Sequence, residues 1–339
     1  GWDLILEYAV SNMAVAVGFG AYFNDLLENA FGFHLPAQIS GPVFAAGKAT
    51  GAWFNLPAFL LIMLLSWMLV RGVRESANAN SAMVIVKVVA ILLFIFGASK
   101  AVDTANWHPF MPNGFSGVTA AAATVFFAYI GFDAVTTTAE EARNPQRDLP
   151  IGIMTSLGIC TILYVSVAAV LTGLVPYNHI DIHAPVAEAL SLVGYKWGAA
   201  VVAIGAVAGI TSVLVVMMLG QIRVFFAMSR DQLLSPGLSK VHPRFGTPHR
   251  ATILTGIAVA ILASLFRIGD AADMTNIGTF FAFTLVCIGL IVLRYTRPHH
   301  PRPFKTPLMP WIPILGALCC LALMWQLPAL TWQRFVWWT

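Results

Sequence analysis

Long charge-free apolar runs alternate in this chain with short segments that carry nearly all of its ionisable residues. A run of about 20 apolar residues can cross the hydrocarbon core of a bilayer as an α-helix. In lipid, a helix satisfies its backbone amides and carbonyls within its own segment, whereas an irregular chain leaves them bare. The runs therefore predict an all-α fold, a polytopic membrane helix bundle.

Nine runs have the length of a spanning helix. The composition agrees, because only 10% of the residues are charged, against about a quarter in a soluble domain. We predict spans at residues 2–27, 53–70, 80–102, 117–139, 151–175, 198–222, 251–266, 274–293 and 309–328. Residues 183–195 predict a further short helix that lies on the surface.

Lysine and arginine are divided unequally between alternate loops. One set of loops carries 13 of these residues and the other carries five, with Lys87 inside a span. Cytoplasmic loops carry the excess of positive charge, so the odd-numbered helices are predicted to run from the cytoplasm outwards. The chain has no Asn-x-Ser/Thr sequon. We expect a multi-pass protein of the plasma membrane, of the bacterial inner-membrane type.

Several functional classes are disfavoured by where the reactive residues lie. All four cysteines lie inside apolar runs, and all eight histidines lie in or beside loops. This distribution argues against a disulfide framework, a histidine metal site and a histidine proton relay. No hydrolase, zinc-protease or phosphate-loop motif occurs. We expect no metal, no cofactor, no nucleic-acid partner and no enzymatic activity.

Three charged residues within predicted spans stand out, namely Lys87, Glu7 and Asp133. A charge at mid-bilayer costs about 2.5–3.5 kcal/mol, so such residues usually have a function. Lys87 either extends its ammonium to the cytoplasmic interface or is a buried amine that gains and loses a proton during transport, and we favour the second. Glu7 either lies at the cytoplasmic rim or faces a polar cavity, where it can bind a cationic group.

The span at 117–139 has an unusual centre, where an aromatic cluster is followed by Gly131 and Asp133. Glycine weakens a helix by about 1 kcal/mol relative to alanine, and aspartate is a frequent N-cap. We predict a broken helix, with one half ending near Tyr129 and the other running from Ala134 to Glu141. The alternative is a continuous helix with Asp133 facing the bundle. A break presents carbonyls and amides that suit the ammonium and carboxylate of a zwitterion.

The span at 198–222 carries small residues and hydroxyls. Gly205 and Gly209 are spaced as a small-xxx-small face, which predicts close packing against another helix. Thr211 and Ser212 follow directly. Their hydroxyls either bond to their own helix or face an ion or proton site.

The segment from Phe126 through Asp133 to Pro150 closely resembles the amino acid–polyamine–organocation superfamily, and within it the cationic amino acid transporter family. The matching residues include Glu140-Glu141-Ala142-Arg143-Asn144-Pro145, Gly1-Trp2-Asp3-Leu4, Ser229-Arg230-Asp231-Gln232 and Asn276-Ile277-Gly278-Thr279. The resemblance implies a fold of two inverted five-helix repeats and two peripheral helices. On that plan the chain corresponds to helices three to eleven, so we expect a segment that lacks the family's broken first helix.

The resemblance also implies domain limits and residue roles. Residues 1–102 would belong to the first repeat, 117–293 to the second and 309–328 to a peripheral helix. The carbonyls of Phe127, Ala128 and Ile130 resemble those that receive the substrate ammonium, and Glu7 and Asp133 would set the polarity of the pocket. Lys87, near the hydroxyls of Thr211 and Ser212, is similar to the lysine that replaces sodium in proton-coupled members.

We therefore predict proton-coupled import of cationic or small neutral amino acids by alternating access, with the proton gradient as driving force. The alternatives are a polyamine transporter or exchanger of the same fold, an ion channel, and a membrane enzyme. A channel needs a continuous pore lined by charges or carbonyls, and the sequence shows no such ring. The expected partners are the substrate and the lipid bilayer, with a small single-span membrane protein left open.

Overall fold

The computed structural model describes residues 2–33, 35–45, 48–72, 76–132, 134–136, 144–180, 185–266, 268–299 and 304–339. The described chain is mainly helical, with one small antiparallel hairpin formed by β1 (Phe44–Ala45) and β2 (Lys48–Ala49). The helices are α1 (Trp2–Phe31), α2 (Ala37–Ser40), α3 (Leu56–Arg71), α4 (Ser76–Ala98), α5 (Gly114–Val125), α6 (Pro145–Leu174), α7 (Pro185–Leu192), α8 (Lys196–Arg230), α9 (His249–Leu265), α10 (Ile268–Thr296), α11 (Trp311–Trp325) and α12 (Ala329–Trp338).

The predicted spans coincide with these helices. Within the described part of the chain, six segments, built on α1, α4, α5, α6, α8 and α10, are long and apolar enough to cross a membrane. Helices α3 and α9 are apolar but shorter, with 16 and 17 residues. Helices α11 and α12 are joined at a bend of 114° and together meet the same criterion. The predicted polytopic helical fold is confirmed.

Local chemistry moves several helix ends away from their predicted positions. Helix α3 begins at Leu56 rather than at 53, because the side chain of Asn55 accepts a hydrogen bond from the Ala58 amide at 3.3 Å and acts as its N-cap. Helix α6 begins at Pro145 rather than at 151, since proline suits the first position of a helix. The helix α12 was not predicted, and it follows the extended Pro328.

Contacts divide the chain into two units. Unit 1 comprises Gly1–Val10, Met111–Ile159 and Ala272–Thr339. Its core joins α5 and α10 to α11 and α12 through the buried residues Ala123, Ile277, Phe280, Met324, Leu327 and Phe335. Unit 1 therefore contains the predicted break after α5 and the part of α10 that packs beside it.

Unit 2 comprises Ser11–Phe110 and Cys160–Ala271. In it, α4 packs on α8 and α3 packs on α9, and the Thr247 hydroxyl donates to the Val70 carbonyl at 2.7 Å. Helix α7 forms at residues 185–192 of the short helix predicted at 183–195 and ends three residues early, while 183 and 184 lie outside the described residues. Its Ala187 and Leu190 are buried in a core that includes Ala199 of α8.

Candidate substrate and coupling sites

The helix of residues 117–139 is broken, as predicted. Helix α5 ends at Val125 and passes into a 3₁₀ turn at Phe126–Tyr129. Ile130 is extended, with φ −59° and ψ 135°, and Gly131 has φ +116°. That value lies in a region that residues with a Cβ rarely adopt, so the glycine permits the turn. The alternative of a continuous helix through this span is therefore wrong.

The three predicted ammonium-binding carbonyls lie in the non-α-helical segment that follows α5. The Phe127 carbonyl accepts the Ile130 amide at 3.2 Å, and the Gly131 carbonyl accepts the Ala134 amide at 3.1 Å. A carbonyl oxygen has two lone pairs, so an internal hydrogen bond leaves capacity for a guest. The structure brings Phe127, Ala128 and Ile130 together on one short non-α-helical segment.

The second half of the predicted broken helix is described only at its start. Residues 134–136 form a 3₁₀ turn instead of the first turn of an α-helix. Asp133, predicted to cap that helix, and residues 137–141 lie outside the described residues. Glu7 is described, and its side chain is only 1% exposed on α1. This burial excludes a carboxylate that is exposed to solvent.

Asn276 of α10 contacts the end of α5, a role that the sequence analysis did not assign. The side chain is fully buried, and its Nδ2 donates to the carbonyls of Ala123 at 2.9 Å and Thr124 at 3.2 Å. Phe280 of the same helix packs on Phe126 at 4.5 Å between ring centroids. The available signal was an asparagine within an apolar span, where a buried amide needs hydrogen-bond partners.

The predicted coupling residues lie in unit 2. Lys87 of α4 is half-buried, and an added Cβ at Gly209 of α8 would lie 3.2 Å from its Cβ and Cδ. An added Cβ at Gly205 would overlap the Cβ of Ala90 of α4. The small-xxx-small face therefore packs against α4, as predicted, and the stem of Lys87 lies along the backbone of α8.

Thr211 and Ser212 follow this contact on α8. The Thr211 hydroxyl donates to the Val207 carbonyl of its own helix at 2.7 Å, which is the alternative that the sequence left open. Its oxygen keeps acceptor capacity. Ser212 is 2% exposed. The two groups of predicted residues, those at the break and those around Lys87, thus belong to different units.

Comparison with known proteins gives consistent results. A family model described as amino acid permease matches residues 1–339. A methylthioribose transporter of Bacillus subtilis is 47% identical over the whole chain and 72% of its own length. The branched-chain amino acid permease BcaP of the same bacterium is 48% identical with the same coverage. A chloroplastic cationic amino acid transporter 9 of Arabidopsis thaliana is 40% identical over 86% of this chain and 51% of its own length.

These relatives are named as transporters and permeases, which confirms the prediction of a membrane transporter that is not an enzyme. Their names refer to different substrates at nearly equal identity to this chain. Sequence identity alone therefore does not select a substrate.

Proposed function

The chain belongs to the amino acid permease family, and from this premise we propose that it imports cationic or small neutral amino acids by alternating access. The observation that carries the proposal is the break after α5, with its positive φ at Gly131. Non-helical backbone at membrane depth is tolerated where protein buries it or where it lines a cavity. The peptide dipoles of such a break are suited to the two charges of an amino acid.

The α-ammonium of the substrate is assigned to the carbonyls of Phe127, Ala128 and Ile130. A cation is favoured at the carboxyl end of a helix, where carbonyls carry partial negative charge. Glu7 and Asp133 add carboxylates that set the polarity of the pocket. A second positive charge on the substrate is compatible with such a pocket, which is why the cationic amino acids are included.

Transport is proposed to be driven by protons, with Lys87 as the coupling group. The Lys87 ammonium supplies the positive charge that a bound sodium ion would otherwise supply, and the amine can release its proton and bind it again. The contact with Gly209 supports this role, because it holds the lysine stem against α8 at a residue that Thr211 and Ser212 follow closely in sequence. The proposed location is the plasma membrane, and the inverted-repeat division of the chain stays a prediction.

Uptake into proteoliposomes that contain the full-length protein tests the proposal. Radiolabelled arginine, alanine and leucine are offered with and without an inward proton gradient, and unlabelled putrescine and methylthioribose serve as competitors. Saturable uptake of an amino acid that the gradient accelerates is expected. Absence of saturable uptake for all three labelled amino acids would refute the substrate assignment, and unitary currents would refute the carrier mechanism.

The same vesicles test the coupling residue. Lys87→Met keeps an unbranched side chain of similar length and removes the proton-binding amine, so the gradient should no longer accelerate uptake. Exchange of substrate in the absence of a gradient should persist. Lys100→Met, at an exposed lysine of the 3₁₀ turn after α4, is the matched control. An undiminished response to the gradient in Lys87→Met would show that another group carries the proton.

A further inference from the structure

Helix α10 contacts both sides of the break. Its Asn276 binds the carbonyls of Ala123 and Thr124, which precede the 3₁₀ turn. Its Phe283 ring lies 6.2 Å from that of Phe126 and 5.5 Å from that of Phe132, between centroids. These contacts tie the residues before and after the turn to one helix.

The hydrogen bonds of Asn276 answer a specific need of the broken helix. Carbonyls in the last turn of an α-helix lack the amides that would follow in a continuing helix. Leaving such groups bare at membrane depth is costly. The side-chain amide of Asn276 has two N–H donors and donates to the carbonyls of Ala123 and Thr124, of which the Thr124 carbonyl also accepts the Phe126 amide. It thus substitutes for the missing turn of backbone.

The orientation of the Asn276 amide follows from the same contacts. If the amide were turned over, its Oδ1 would face two carbonyl oxygens, and the contact would be repulsive. Oδ1 therefore faces away, and among the described residues it has no hydrogen-bond donor although it is buried. The side chain of Asn276 therefore contacts the end of α5 through its N–H donors.

We infer that Asn276 is a positioning residue of the substrate site, an inference that rests on the proposed function. By binding the carbonyls of Ala123 and Thr124, it fixes where the α-helix stops. The carbonyls of Phe127, Ala128 and Ile130, which come next, are then held where the substrate ammonium binds. Asn276 acts on the substrate through this backbone and does not touch it.

Kinetics of two variants test the inference. Asn276→Ala removes both donors, and Asn276→Ser keeps one. In the Ala variant, the uptake KM should rise by about tenfold, the size of effect expected when a pair of buried acceptors loses its donors. The Ser variant should be intermediate. Thr279→Val is the control, since Thr279 is 1% exposed and its hydroxyl donates at 2.9 Å to Thr275 of its own helix.

A second readout separates positioning from a general loss of structure. The KM of the amino acid is compared with the inhibition constant of its N-methyl analogue, which differs only at the ammonium. If Asn276 positions the ammonium-binding carbonyls, the inhibition constant of the analogue divided by the KM should fall toward one in Asn276→Ala. The same ratio should stay unchanged in Thr279→Val. This ratio is independent of the amount of folded protein in the vesicles.

The outcomes are distinct. A lower Vmax with unchanged KM and unchanged ratio in both Asn276 variants would overturn the inference, since it would indicate a purely structural role. If Asn276→Ala does not fold, the same criterion applies to Asn276→Ser. Absence of amino-acid uptake by the unsubstituted protein would overturn the proposed function and the inference with it. Normal uptake by the unsubstituted protein, together with an unchanged KM and an unchanged ratio in Asn276→Ala, would overturn the inference alone.

Discussion

Replacing Gly205 with alanine tests how closely α4 and α8 approach in the unit that contains Lys87. An added Cβ at 205 overlaps the methyl group of Ala90, whereas one at Gly209 lies 3.2 Å from the Cβ and Cδ of Lys87. The methyl group of alanine has no rotamer to change. The lysine stem can shift by the few tenths of an ångström that are needed. Gly205→Ala must therefore move the helices apart, and Gly209→Ala need not.

The magnitude follows from two opposing terms. Overpacking a close contact costs about 1–3 kcal/mol, and alanine in a helix interior gains up to about 1 kcal/mol over glycine. Gly97 of α4 has nothing within 4 Å of an added Cβ, so Gly97→Ala receives the gain without the overlap. Gly205→Ala should thus be less stable than Gly97→Ala by about 1–3 kcal/mol, with Gly209→Ala between them.

Reversible unfolding of the purified protein in mixed detergent micelles measures these differences. The comparison between two glycine-to-alanine changes cancels the helix-propensity term, so the remaining difference reports the contact with Ala90. Equal free energies of unfolding for Gly205→Ala and Gly97→Ala would refute the close approach of α4 and α8. The position assigned to the Lys87 stem would then be wrong as well.

Two further predictions concern the break and a buried polar pair. Gly131→Ala forces a side chain into φ +116°, at a cost of about 1–3 kcal/mol, and should raise the uptake KM. Gly114→Ala, at φ +64° outside the break, is strained without affecting KM, and equal KM values for both variants would contradict the role of the turn. Gln221→Leu removes the acceptor that binds Asn12 Nδ2 at 3.2 Å, and should lower the free energy of unfolding by about 1–3 kcal/mol. Adding Asn12→Leu should cost less than the sum of the single changes, and strict additivity of the unfolding energies would show that the two amides do not interact.

Much of the fold could be predicted because the bilayer imposes a length on each apolar run. The errors fall where individual side chains set a helix end. Asn55 caps α3, and α6 begins at Pro145, ahead of the apolar run that was predicted as the span at residues 151–175. The bend between α11 and α12 was missed because the last predicted span ends at residue 328, and no helix was predicted beyond it.

The site was predictable only where the chain itself supplies the chemistry. Gly131 beside a charged residue identified the break, because glycine and aspartate disfavour a continuous helix. The role of Asn276 was not accessible in the same way. Its donors bind Ala123 and Thr124, some 150 positions earlier in the chain, and periodicity along one helix does not show which carbonyls of another helix need a donor.

The break and its neighbour together explain how a site can be open to a guest and still be stable in a membrane. Bare carbonyls at membrane depth are costly, so a broken helix needs substitute donors for most of them. At the end of α5, Asn276 supplies donors to two carbonyls, and the Ile130 amide supplies one to Phe127. The acceptor capacity left over is what a substrate ammonium can use. The selectivity of the proposed site then depends on which carbonyls the protein satisfies by itself, and changing that set at Asn276 should alter selectivity without any change in a residue that contacts the substrate.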